Sequence, residues 1–233
     1  RKARTSPRDW AENDRLRREG TKALTAWAAA IGAQTYVQQS VVWVARPSDS
    51  SAFDENSPTN AEPLMQSAIE GERTALEVAQ KCDFKTAVLR CGSFYGADAA
   101  HTRMFGEGLR KRQIPIIGSG TACWSLLHLD DAASAFLSAI ENSRHGIWHV
   151  VDEQPVAVRD FLKHFAGLLD AKAPRTVPSW LARLLAGRQA VDFFTKSTQT
   201  TRDKFRHDFG WHPSYRTYRE GLAPVVADWN ANA

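Results

Sequence analysis

Cysteine is scarce in this chain, with Cys82, Cys91 and Cys123 the only three among 233 residues. Their odd number and wide spacing argue against a disulfide framework and make a reducing, cytoplasmic setting the simplest expectation. No apolar run approaches the ~20 residues that a membrane span needs. The basic opening "RKARTSPRDW" leads into no apolar segment, so no secretory signal is expected. Metal-ligand spacing is missing too. His145 and His149 in "HGIWH" are four apart, but the segment reads as a strand, where that spacing puts them about 13 Å apart. A further absence falls in the middle of the chain: from Ser40 up to Lys81 there is no tyrosine and no lysine.

What is present fits a globular chain able to bury a core, with 43% hydrophobic and 24% charged residues. The net charge is +4, and arginine is concentrated early, at Arg1, Arg4, Arg8, Arg15, Arg17 and Arg18. A nucleic-acid arm is the sharp reading of that cluster. A half-buried helix is the better one, because "AENDRLRREGTKALTAWAAA" alternates charged with apolar positions.

Helix and strand patterns alternate along the chain. A helix capped at Asn13 or Asp14 should run to Ala30, with Leu16, Leu24, Trp27 and Ala28 on its inner side and Gly32 ending it. "QTYVQQSVVWVA" reads as a strand, 65–80 as a helix after Pro63, and "KTAVLRCGSFYG" as a strand running into a loop. "RMFGEGLRKRQ" is helical, "LLHLDDAASAFLSAIEN" is a short strand and a helix capped at Asp130, and "GIWHVVD" is another strand. Amphipathic helices follow in "VRDFLKHFAGLLD" and "PSWLARLLAG", then a helix stopped by Gly210 and Pro213, then aromatic coil. This order predicts βαβ crossovers: an α/β fold, the later portion of a doubly wound parallel sheet, with a small, mostly helical region behind it. The expected division is 1–153 for the sheet part, with 100–127 contributing to the other side, and 154–233 for the helical region.

Four segments in order, "REGTKALTAWAAAIGAQTYVQQS", "VLRCGSFYG", "LLHLDDAASAFLSAI" and "FGWHPSYRTYREGL", carry a family likeness. The chain resembles the NAD-dependent epimerase/dehydratase family of the extended short-chain dehydrogenase/reductase superfamily, over roughly 10–222. The resemblance implies a Rossmann-like fold, an NAD or NADP cofactor and a sugar-nucleotide or related hydroxyl or carbonyl substrate. It also implies an opening strand–turn–helix with a Gly-rich loop, since glycines let the backbone approach a pyrophosphate at a helix N-terminus. The first glycine here is Gly20, and none of the 14 glycines forms such a motif. The chain therefore reads as a fragment or truncated product that binds no cofactor by itself. The expected partners are a small-molecule substrate and a second copy, with neither nucleic acid nor membrane.

By the same likeness Ser40 takes the place of the active-site Ser or Thr. The family's Tyr and Lys, four apart on one helix face, then fall at Met65 and Ile69. The chemistry needs that spacing, because a phenol with a pKa near ~10 works at neutral pH only beside a cation. Neither Met nor Ile exchanges a proton. Glu70 or Glu72 could supply a carboxylate base in their place; the plainer reading of both is solvated helix charges. The likeness puts Ser40, Cys91 and Gly92 by the nicotinamide, and Ser93, Trp124 and Arg216 by the substrate. Cys91 also reads as a small buried residue. Trp124 is open between stacking on a substrate and filling the core. Where nucleotide-sugar members carry an Arg, Trp124 and Ser125 stand instead, which argues against a UDP-sugar. His128 and Asp130 read as a capped turn, Asp131 as a first-turn helix charge. Arg216 and Arg219 face either an anionic ligand or solvent. Two functions stay open: an atypical or inactive enzyme of this family, and a non-catalytic sensor or scaffold binding a dinucleotide or a partner.

Overall fold

The computed structural model describes residues 7–60 and 62–232; Arg1 and Arg4 of the basic cluster lie outside them. Three parallel strands form the central sheet, β1 (Thr35–Val41), β2 (Lys85–Cys91) and β7 (Gly146–Val150), in the order β1-β2-β7. Their register aligns Ser40 with Arg90 and Arg90 with His149 in one row across all three strands. Helices α2 (Thr21–Ala30) and α3 (Gln66–Cys82) pack on one face of the sheet, α5 (Leu129–Asn142) on the other. Alternation explains the split: Ala87, Leu89 and Cys91 enter the α5 side, while Thr86 and Arg90 meet α3.

The first helix starts earlier than its capping residues suggest. Helix α1 (Pro7–Arg15) has proline at its first position, where a missing N–H costs nothing, and passes through a π-turn (Leu16–Gly20) into α2. The inner face also differs from the expected one. Leu16, Leu24 and Trp27 are 55%, 53% and 62% exposed, whereas Thr21, Thr25 and Ala28 are buried. Small residues win because the helices approach closely: a Cβ on Gly71 of α3 would lie 3.0 Å from the Arg17 carbonyl oxygen. Helix α2 does end before Gly32, whose φ is +67°.

The second core lies where the sheet meets the C-terminal helices. Strands β3 (Ser93–Tyr95) and β6 (Leu126–His128) pair beside α4 (Ala100–Arg110). Two further two-stranded pairs, β4 (Ile116–Ile117) with β9 (Thr176–Val177) and β5 (Cys123–Trp124) with β8 (Val156–Ala157), tie in α6 (Val158–Leu168). Helices α7 (Ser179–Ala186), α8 (Arg188–Thr195) and α9 (Asp203–Phe209) follow. The expected aromatic coil holds for 211–217, but from Tyr218 the chain is helix α10 (Tyr218–Ala231), which contains Pro224. Leu222, Val225, Val226 and Trp229 bury against Phe165 and Leu162 there, and that burial outweighs the hydrogen bond the proline forfeits.

Candidate functional site

The carboxyl ends of β1 and β2 are where a doubly wound sheet receives its ligand. Ser40 is buried there, one residue before the end of β1. Its hydroxyl donates to Glu72 Oε1. Glu72 is buried, not solvated, and accepts two hydrogen bonds from Arg90, Nε to Oε1 at 2.9 Å and Nη2 to Oε2 at 2.7 Å. Arg90 is itself only 2% exposed. Ser40 has one hydroxyl hydrogen, and Glu72 takes it. That hydrogen is then withheld from a substrate oxygen.

The same helix face carries the two positions expected to hold Tyr and Lys. Met65, Ile69 and Glu72 follow one another at helical spacing around the start of α3. Met65 is buried with Val42, Val44, Phe53, Ala68 and Val151, and Ile69, Val41 and Trp43 pack against that cluster. The surface that a proton-exchanging pair would occupy is thus apolar, with an ion pair closed beneath it. Glu70 is engaged elsewhere, by Arg18, and that bond holds its carboxyl below the usual range.

His149 completes the cross-strand row. Thr200 spends its hydroxyl hydrogen on the Phe53 carbonyl at 2.7 Å and lies 2.7 Å from His149 Nδ1. Nδ1 therefore carries the proton, which leaves Nε2 a buried acceptor with no partner. Burial, then the nearby Arg90 charge, push this imidazole down to about 3, so it stays neutral. The Thr198–Thr200 strap also bonds Cys123 and Ser125, and its Gln199 carbonyl accepts the Phe53 N–H at 3.1 Å, which ties the loop after β1 to the C-terminal part.

The remaining candidates are spread around this edge. Cys91 points into the α5 core with Leu127, Ala132 and Phe205, and burial pushes its thiol well up. Gly92 is pressed against β6: a Cβ there would sit 2.6 Å from the Ser125 carbonyl oxygen. Ser93 Oγ is buried without a partner, as are Tyr95 Oη and Asp152 Oδ2. Trp124 is core, 3% exposed, with its indole N–H donated to the Phe193 carbonyl at 3.2 Å. Arg216 is 67% exposed and paired with Glu153 at 2.8 Å; Glu153 also holds Arg202. One capping expectation changes: His128 rather than Asp130 caps α5, accepting the Asp130 N–H on Nδ1. Asp131 does lie in the first turn of α5, but it is buried and accepts the backbone N–H groups of Ser214 and Tyr215, at 2.6 and 3.1 Å.

Burial raises the Asp152 carboxyl well above its ordinary value. The folded protein therefore holds this proton more tightly than the unfolded chain does. Stability should fall as pH rises from about 4 towards the raised value. Asp152→Asn is expected to remove that loss. Urea unfolding should show the variant gaining on the parent at pH 8 and little at pH 4.5; an equal change at both would speak against it.

A parallel α/β sheet crossed over by helices, with its polar row at the carboxyl edge, defines a Rossmann-type protein. The sequence model of the NAD dependent epimerase/dehydratase family matches residues 4–150. The 3-diazoavenalumate denitrifying reductase of a Streptomyces species is 32% identical over 221 residues, 93% of this chain and 73% of that protein. The chloroplastic homologue of the epimerase family protein SDR39U1 from Arabidopsis thaliana is 27% identical over 145 residues, 62% of this chain and 41% of its own. Human SDR39U1, crystallised with NADPH, superposes with a TM-score of 0.83 at 20% identity, covering 97% of this chain and 77% of that one. A Bacillus anthracis dTDP-glucose 4,6-dehydratase in complex with NAD gives 0.76 at 20% identity, over 94% and 69%. This chain belongs to the NAD-dependent epimerase/dehydratase family.

Proposed function

We propose that this chain is the nicotinamide-side part of a reductase whose acceptor sheds a leaving group as hydride arrives. A diazo-derived cation is such an acceptor; a carbonyl is not. The observation that carries this is the closed Ser40–Glu72–Arg90 network under Met65 and Ile69. Reduction of a carbonyl creates an oxyanion, which needs a donor such as a free Ser or Tyr hydroxyl. Replacement of N2 by hydride needs none: the C–N electron pair leaves with N2, a C–H bond forms, and no proton moves. The reductase relative, named for denitrifying a diazo compound, supports this reading.

The residues present fit the nicotinamide end of a dinucleotide. Ser93, expected by the substrate, has its Oγ buried and unpartnered just beyond β2, and on this reading it serves instead as a hydrogen-bonding group for the carboxamide. A reduced nicotinamide held there would supply the hydride. The chain's own part is to orient the acceptor against Met65 and Ile69 and to keep water from the closed ion pair behind them. None of these 233 residues forms the Gly-rich pyrophosphate cradle, so NAD(P) binding by the chain as given is expected to be weak.

The test compares initial rates on an aryl diazonium salt and on the aryl aldehyde with the same ring, both with millimolar NADPH and above the protein-free rate. A ratio strongly favouring the diazonium, with N2 released, is the expected result. A ratio favouring the aldehyde would overturn the reading. Silence with both would leave the fold to binding alone.

A further inference from the structure

Partly exposed aromatic rings gather beside this edge. Trp43 stands in the turn just after β1, Phe105 in mid-α4, and Phe193 and Phe194 near the end of α8. Trp43 meets Phe193 edge-on with ring centroids 5.5 Å apart, and Phe193 meets Phe194 at 5.3 Å. Phe105 lies 5.9 Å from Phe194 and 6.5 Å from Phe193. Behind them Trp124 is fixed by its bond to the Phe193 carbonyl. The front four are therefore a wall with a rigid back.

Two observations say what the wall takes. The first is continuity. Trp43 packs on the Met65 and Ile69 cluster, so one apolar surface runs from those positions to the rings. The second is the rim. Arg46 binds Glu62 through two hydrogen bonds of 3.0 and 2.9 Å, and Lys196 reaches Glu62 at 3.0 Å and Asp192 at 3.2 Å. Both carboxylates and the two less exposed cations are thus paired, and the exposed Arg188 also lies 3.7 Å from Asp192. Among the described residues, the rim therefore leaves no carboxylate and no sheltered cation waiting for a charged ligand.

We infer that Trp43, Phe105, Phe193 and Phe194 form the subsite for a planar aromatic ring on the substrate, and so set its specificity. The inference rests on the hydride-acceptor reading above and narrows it, because a diazonium cation persists only when conjugated with a ring. Edge-to-face contact with the open rings is the recognition, each such contact contributing roughly two- to tenfold in affinity.

The test needs neither cofactor nor turnover, so its failure and that of the hydride reading are separate. Saturation-transfer NMR on the full chain compares cinnamamide with 3-cyclohexylpropanamide, a neutral probe of the same length without a planar ring. Cinnamamide should bind about tenfold more tightly, and Trp43→Leu or Phe193→Leu should each weaken it by about tenfold. Trp43→Phe, which keeps a ring, should stay within about threefold of the parent. Equal binding of the two probes by the parent would overturn the proposal even if a variant failed to fold. So would no binding of cinnamamide, or unchanged affinity in both leucine variants.

Discussion

Arg90→Met is expected to destabilise the protein by about 3–5 kcal/mol, because it leaves the Glu72 carboxylate buried with only the Ser40 hydroxyl to answer it. The two side chains are 3% and 4% exposed, so solvent screens little of this. Glu72→Leu should cost a similar amount, by stranding the guanidinium. The double variant Arg90→Met/Glu72→Leu should recover most of the loss, since replacing a whole buried pair by apolar groups is often near neutral. Urea unfolding of the four proteins closes the cycle. Additive losses would mean that the residues act separately and that the network is not the unit described here.

The second large effect is catalytic. With an aldehyde the parent should run about 10²–10⁴-fold below an enzyme that has an acid at the site. Met65→Tyr with Ile69→Lys should raise aldehyde reduction by about 10²-fold, towards the low end because Ser40 stays bound to Glu72. Either change alone should do little, since the phenol needs the cation beside it. The tyrosine enters a packed site, so a cost of about 1–3 kcal/mol in stability should accompany the gain. NADPH absorbance and a urea melt read both. A parent already fast with the aldehyde would show that some other group donates the proton.

Sequence patterns were a good guide to the sheet and a poorer one to what surrounds it. Segments rich in Val, Tyr and Trp or in apolar residues mark β1, β2 and β7; β2 is buried along nearly its whole length, whereas β1 is only half-buried and is marked by its residue types. The inner face of α2 departs from the apolar pattern because the large side chains are not the buried ones. Close packing against Gly71 favours Thr21, Thr25 and Ala28, and turns Leu24 and Trp27 outward. Helix α10 carries Pro224, whose cost is local, while the gain from burying Trp229 and Leu222 is tertiary and has no local signal.

At the candidate site, the loss of Tyr and Lys was legible from spacing alone. The role of Glu72 was not, although a signal existed. Arg90 sits in the apolar strand "KTAVLRC", and an arginine there demands a buried carboxylate on the helix above. Glu72 lies one turn beyond Ile69 on that face. The aromatic wall had no local signal, since Trp43, Phe105 and Phe193 belong to three distant segments that only the fold brings together.

The central claim is that no protein group gives up a proton when hydride is transferred at this site. The solvent isotope effect on diazonium reduction measures that directly, with 4-deuterated NADPH run alongside to establish that hydride transfer limits the rate. The account predicts a primary effect from the deuterated cofactor and a rate unchanged between H2O and D2O. A clear slowing in D2O, lost when Ser40 is replaced by alanine, would contradict it.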